Sequence, residues 1–236
     1  MSGAGKRYLI VNADDFGRND GVNRAIARAH ERGVVTSTSL LVDWPEAAAA
    51  VAYARHSDLS VGLHVDLGEW IFRDGHWAAI YTRPATDRAE VVAEVARQLD
   101  LFRSLMGRDP SHIDSHQHVH VHRAEPVRSV LLELAAGLTV PLRHHSRQIR
   151  YCGGFYGQAD DRHPLPEAVS IEALIRIVRA LPSGVTELCC HPDDGSGSER
   201  AVETETLCDP RVRAVLESEG IELISFAEVR VLGAGG

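Results

Sequence analysis

Tyr8-Leu-Ile-Val-Asn-Ala-Asp14-Asp15-Phe-Gly17 is an apolar run that ends in two adjacent carboxylates. A short apolar run bounded by polar residues reads as a buried strand. Similar runs at Tyr8 to Asn12, Thr36 to Val42, Ser60 to Val65, His112 to Ser115, Leu138 to Arg143, Val185 to Cys190 and Ile221 to Ile224 alternate with helical patterns. Repeated βα units predict an α/β fold with a parallel sheet of about seven strands. The clearest helix runs from Asp87 to Met106, where Val91, Val92, Val95, Leu99, Phe102 and Met106 recur at helical spacing between charged residues, so that one face packs on the sheet. Asp209-Pro210 opens another helix as N-cap and first-turn proline, and Gly220 closes it. A sheet of this kind is either a closed barrel or an open doubly wound sheet. In both, functional groups gather beyond the strand C-termini.

No linker or low-complexity segment interrupts the 236 residues, which suits one domain over 1–236, a length that α/β barrels reach without splitting. A formal charge of −8 without a Lys/Arg cluster argues against nucleic acid, whose binding relies on a basic patch. Met1-Ser-Gly-Ala-Gly-Lys-Arg carries no signal-peptide pattern, and no run nears the ~20 apolar residues of a membrane span. The expectation is a cytoplasmic protein with no membrane partner. Cys152, Cys189, Cys190 and Cys208 lack C-x-x-C spacing and fit reduced thiols. A homodimer, the commonest closed symmetry, is compatible with exposed barrel helices.

The chemistry-bearing residues fall at strand ends. Asp14 and Asp15 close the first run, His64 follows Gly62-Leu63, and His112-Ile-Asp114-Ser-His116-Gln-His118-Val-His120-Val-His122 is saturated with imidazoles. Gathered carboxylates and imidazoles are what a divalent metal site with an open position needs. An isolated Asp at such a turn is usually a helix N-cap, but two adjacent carboxylates repel unless a cation or proton sits with them. Gly62 marks a close approach of the backbone to something in the pocket. His112, Asp114 and His116 share strand parity and hence a face, which lets Asp114 support a ligand from behind. His118 suits substrate contact or a loop, and His122 a solvated loop. Tyr151-Cys-Gly-Gly-Phe155-Tyr-Gly157 has the composition of a sugar-stacking loop and equally of any compact long loop. His144 and His145 take no role. Read literally, His64-Val-Asp66 with His116 is also the two-His, one-carboxylate set of a non-haem iron oxygenase. That reading goes with an all-β scaffold, against the βα alternation.

In five segments taken in order, the chain resembles the YdjC family, also called the ChbG/HpnK family of carbohydrate deacetylases. They are Leu9 to Gly17, Gly33-Val-Val-Thr-Ser-Thr-Ser39, Gly62-Leu-His64, His112 to His120 and Cys190-His-Pro192. The resemblance implies a distorted (β/α) barrel that removes an acetyl group from an N-acetylated sugar with one divalent metal ion. It makes Asp15, His64 and His116 the metal ligands, Asp14 the general base and His191 the general acid. His118, Asp114, Tyr151 and Phe155 would then serve substrate binding. Imidazoles favour zinc over magnesium by ligand softness, although both ions remain open. Asp193 stands where many members have glycine, and the segment between His64 and His112 is shorter than in the chitooligosaccharide-type members.

Overall fold

A computed structural model describes residues 5–122, 125–159, 163–195 and 198–233. Its first half runs β1 (Arg7–Phe16), α1 (Asp20–Arg32), β2 (Ser37–Leu40), α2 (Ala47–Ala54), β3 (Ser60–Val65), β4 (Gly68–Arg73), β5 (His76–Thr82) and α3 (Arg88–Met106). The second half holds β6 (Ile113–Ser115), α4 (Val119–His122), α5 (Val127–Leu138), β7 (Ile149–Cys152), α6 (Ile171–Arg179) and β8 (Gly184–Cys190). It closes with α7 (Glu199–Cys208), α8 (Pro210–Ser218), β9 (Ile221–Leu223) and α9 (Phe226–Gly233). The main sheet is parallel, in the order β6-β3-β2-β1-β8-β7, and β9 pairs with the N-terminal half of β1. Helices cover its outer face, giving a half-barrel. No helix among the described residues is long and apolar enough to cross a membrane.

Local chemistry accounts for most of these elements. Asp87 caps α3 by accepting from Glu90 N, and Gly107 ends it at φ +69. Val91, Val95, Leu99, Phe102 and Met106 are buried along the helix, at about 1.5–3 kcal/mol for each fully buried side chain; Val92, expected on that face, is exposed. Asp209 caps α8 with Pro210 at its first position.

The expected strand from Leu138 to Arg143 does not form. Leu138 ends α5, Thr139 caps it in the left-handed conformation, and Leu142 makes one parallel bridge to Ile113. Pro141 has no N–H to offer a ladder. The chain pairs instead at β7 against β8, through Ile-Arg-Tyr-Cys, whose four residues are too short a stretch to stand out as an apolar run or a sustained alternation. The antiparallel β4–β5 hairpin also escaped the pattern, since most of β5 is exposed.

Strand parity sorts the core into two. Leu9, Val11 and Ala13 join the large cluster under the helices, whereas Ile10, Asn12 and Asp14 turn to the other face. There Ile10 packs with Ile149, Ile224, Phe226 and Val229, so the start of α9 fills the lower interior. Above it the His112 ring stacks on Phe226, with centroids 3.8 Å apart. That ring occupies the space over Gly62, where a Cβ would come within 2.4 Å of it. Gly62 therefore admits His112, not a ligand in the pocket.

Candidate metal centre

Neighbouring side chains on a regular strand face opposite ways, so Asp14 and Asp15 should diverge. They do not, because the β1–β2 register shifts between Ala13 and Phe16 and Asp15 adopts φ +69. An irregularity of this kind re-aims a side chain. Both carboxylates line one cleft of about 930 Å³.

Asp15 Oδ1 lies 3.6 Å from His64 Nε2 and 3.0 Å from His116 Nδ1. Ligand atoms of these three buried residues all lie within 4.8 Å of one another. Among the described residues, buried Asp15 Oδ1 and His116 Nε2 find no hydrogen-bond partner, a condition that native interiors seldom tolerate. His64 Nδ1 is 2.7 Å from Asp114 Oδ1, which turns Nε2 toward Asp15 in the carboxylate–histidine pattern of metal sites. Burial pushes the His64 imidazole down, but Asp114, Asp14 and Asp15 outweigh it and lift it to about 9. Burial likewise opposes the charge on Asp15, yet His116, Arg200 and Arg18 hold that carboxyl well below the usual range. One carboxylate and two imidazoles, inwardly aimed and partly unpartnered, suit a divalent cation.

Asp14 sits in a different environment. Arg143 grips it with Nη1 at 2.6 Å from Oδ2 and Nη2 at 2.8 Å from Oδ1, and Asn12 donates to Oδ1 at 2.9 Å. Burial raises the Asp14 carboxyl, but the Arg143 guanidinium prevails and keeps it ionised far into acid. The same guanidinium meets Asp114 at 2.9 Å and Glu187 at 2.7 Å. Burial lifts Glu187 to about 7. His191, the first residue after β8, holds Nε2 3.8 Å from Asp14 Oδ2 and packs edge-on against Tyr156. Burial lowers it to about 4, so its imidazole is neutral at neutral pH.

Other expected residues are placed less favourably. Asp114 is wholly buried behind His64, where Ser39 donates to it at 2.6 Å; it has no surface for substrate. Phe155 is fully buried yet lines the cleft, so it shapes the wall and offers a sugar little ring surface. Tyr151 and His118 do line the cleft, with Tyr151 Oη 3.3 Å from His118 Nε2. Asp66, the carboxylate of the oxygenase alternative, is consumed by Tyr81, Arg83 and Trp44 at 2.8 to 3.2 Å, and the parallel sheet is the wrong scaffold for that reading. The residues that sequence reasoning missed are Arg143, Arg18, Arg200 and Tyr156. An arginine ending the apolar stretch Val140-Pro-Leu was the one available signal; Arg200, on α7, offered none.

A family model described as YdjC-like protein matches residues 8–218. A carbohydrate deacetylase of Geobacillus stearothermophilus is 32% identical over 94% of this chain and 98% of its own length. A chitooligosaccharide deacetylase of Serratia marcescens is 29% identical, covering 95% of this chain and all of its own. Among solved structures, a putative cellobiose-phosphate cleavage protein from Enterococcus faecalis V583 superposes with a TM-score of 0.74 at 28% identity. That match covers 95% of this chain and 99% of the other.

Proposed function

The chain belongs to the YdjC-like family, whose curated relatives are carbohydrate deacetylases, and on that footing we propose that it frees acetate from an N-acetylated sugar by metal-assisted hydrolysis. Asp15, His64 and His116 would hold the cation. The observation that carries this reading is the convergence of Asp15 Oδ1, buried and without a hydrogen-bond partner among the described residues, with His64 Nε2 at 3.6 Å and His116 Nδ1 at 3.0 Å. An orphaned carboxylate oxygen costs about 1–3 kcal/mol, a cost that a cation would relieve. Two imidazoles favour zinc or a similar transition ion.

When bound, a divalent ion polarises the acetyl carbonyl and acidifies water. The remaining work falls to side chains. Asp14, kept ionised by Arg143, takes the proton from the attacking water. His191 starts neutral, and its Nε2 is close enough to Asp14 Oδ2 to receive that proton by a small movement or through one water. It then delivers the proton to the sugar nitrogen as the C–N bond breaks, which balances water and amide against acetate and amine. Tyr151, Tyr156 and Trp77, all on the cleft wall, offer aromatic faces to a sugar ring.

The test is acetate release from a panel of N-acetylated sugars with metal stripped and restored. Asp14→Asn should keep its metal yet lose about 10²- to 10⁴-fold in turnover, the typical worth of a general base. His64→Ala should lose metal and activity together. Full activity after chelation, or loss of metal from Asp14→Asn, sinks the assignment.

A further inference from the structure

The two oxygens of Asp15 meet different surroundings. Oδ1 faces His64 and His116 and, among the described residues, accepts no hydrogen bond. Oδ2 faces two guanidinium groups, with Arg18 Nη1 at 3.4 Å and Arg200 Nη1 at 3.2 Å. Arg18 comes from the turn after β1, and Arg200 from the first turn of α7. Arg18 is itself fixed, since its Nη2 donates to Glu69 Oε1 at 3.0 Å and its guanidinium lies 4.8 Å from the Trp44 ring centroid. Both arginines line the cleft.

A carboxylate can ligate through one oxygen or through both. We propose that Arg18 and Arg200 form a clamp on Asp15 Oδ2 that confines Asp15 to one-oxygen ligation, keeping a coordination position open at the expense of metal affinity. The inference rests on the reading that Asp15, His64 and His116 hold the cation. Hydrogen bonding commits Oδ2 elsewhere, and the fixed positive charges repel a dication, weakening its binding. Affinity alone gives no reason to set two arginines beside the one carboxylate of the triad. An open position does, because catalytic sites keep one where structural sites are closed. Arg18 and Arg200 are thus positioning residues, acting on the reaction through Asp15.

The experiment compares the wild-type protein with Arg18→Gln, Arg200→Gln and the double variant, loaded with zinc or cobalt(II). Zinc affinity is read by competition with a chromogenic chelator, coordination number by the intensity of the cobalt absorption bands, and turnover by acetate release at full occupancy. Thermal unfolding of the metal-free proteins checks the fold. The expected result is one zinc per chain throughout, with at least ~10-fold tighter zinc in the double variant, since both charge and hydrogen bonding point that way. Its cobalt bands should weaken as Asp15 becomes bidentate, and kcat should fall. A merely structural role would loosen the metal. The clamp is refuted if the double variant, folded and holding one zinc, binds it no more tightly than wild type. If His64→Ala binds as much zinc as wild type, the triad reading itself is wrong and the clamp falls with it. Should the double variant not fold, Arg18→Gln alone decides by the same readouts.

Discussion

Replacing Arg143 with methionine removes the guanidinium shared by Asp14, Asp114 and Glu187 while keeping most of the side-chain volume. The guanidinium nitrogens lie 2.6 to 2.9 Å from the three carboxylates, and none of the four side chains is more than 2% exposed, so water has little access to take the guanidinium's place. Removing one partner of a buried pair costs about 3–5 kcal/mol. Three carboxylates lose the same cation here. Glu187, however, already sits at about 7 and can accept a proton, so the loss should stay within that range and not multiply. Against a total stability of about 5–15 kcal/mol this is a large fraction. With a urea slope near ~3 kcal/mol/M the unfolding midpoint should fall by about 1 M or more. The chain's three tryptophans provide a fluorescence readout for the titration. A second variant, Arg143→Met with Glu187→Leu, removes one of the stranded carboxylates and should recover part of the loss, a coupling of about 0.5–3 kcal/mol. A loss under ~1 kcal/mol in the single variant, or a double variant whose losses simply add, would refute Arg143 as the shared counter-ion.

Three further outcomes follow from the same network. Asp114→Asn takes the carboxylate from His64 Nδ1 and should weaken zinc binding by about 10- to 100-fold in chelator competition; unchanged affinity would mean that His64 needs no orienting partner. His191→Ala should nearly abolish acetate release from an N-acetylated sugar but spare an activated aryl acetate, whose leaving group needs no proton. Equal losses on both substrates would point to a structural role for His191. Burial lowers His112 from 6.5 to about 4, so the unfolded chain takes up its proton first as pH falls. Its contribution to stability is complete above pH 6.5 and is lost between pH 6.5 and 4, at about 1.4 kcal/mol per pH unit. His112→Phe keeps the stack on Phe226 and should flatten the fall in urea midpoint over that window. Parallel slopes for variant and wild type would overturn the argument.

What the sequence made legible was whatever depends on local pattern. Tyr8 to Asn12 is apolar because β1 is buried on both faces, and Asp87, Asp209 and Pro210 announce helix starts by their own hydrogen-bonding chemistry. His64 and His116 could be gathered at one edge because parallel strands all end there. Distance along the chain hid the rest. Arg143 reaches Asp14 across 129 positions and Arg200 reaches Asp15 across 185, and no window of residues carries such a pairing. Parity failed at Asp15, where a left-handed backbone overrides the alternation that pattern reading assumes. The glycine signal misled at Gly62, since the need for a missing Cβ is visible without showing which group fills the space. The β4–β5 hairpin lacks a pattern for a plain reason, namely that most of β5 buries little.

The Phe226 floor has a consequence for anyone modifying this protein at its C-terminal end. Phe226 is the first residue of α9, and it carries the His112 ring, which bonds Ser39, which in turn bonds Asp114 behind His64. A deletion reaching back to Phe226, remote from the cleft in sequence, would remove the bottom of a column whose top is His64, a proposed metal ligand. Such a truncation would loosen the hold on the His64 imidazole through Asp114 while also stripping Ile10 of its Phe226 and Val229 contacts.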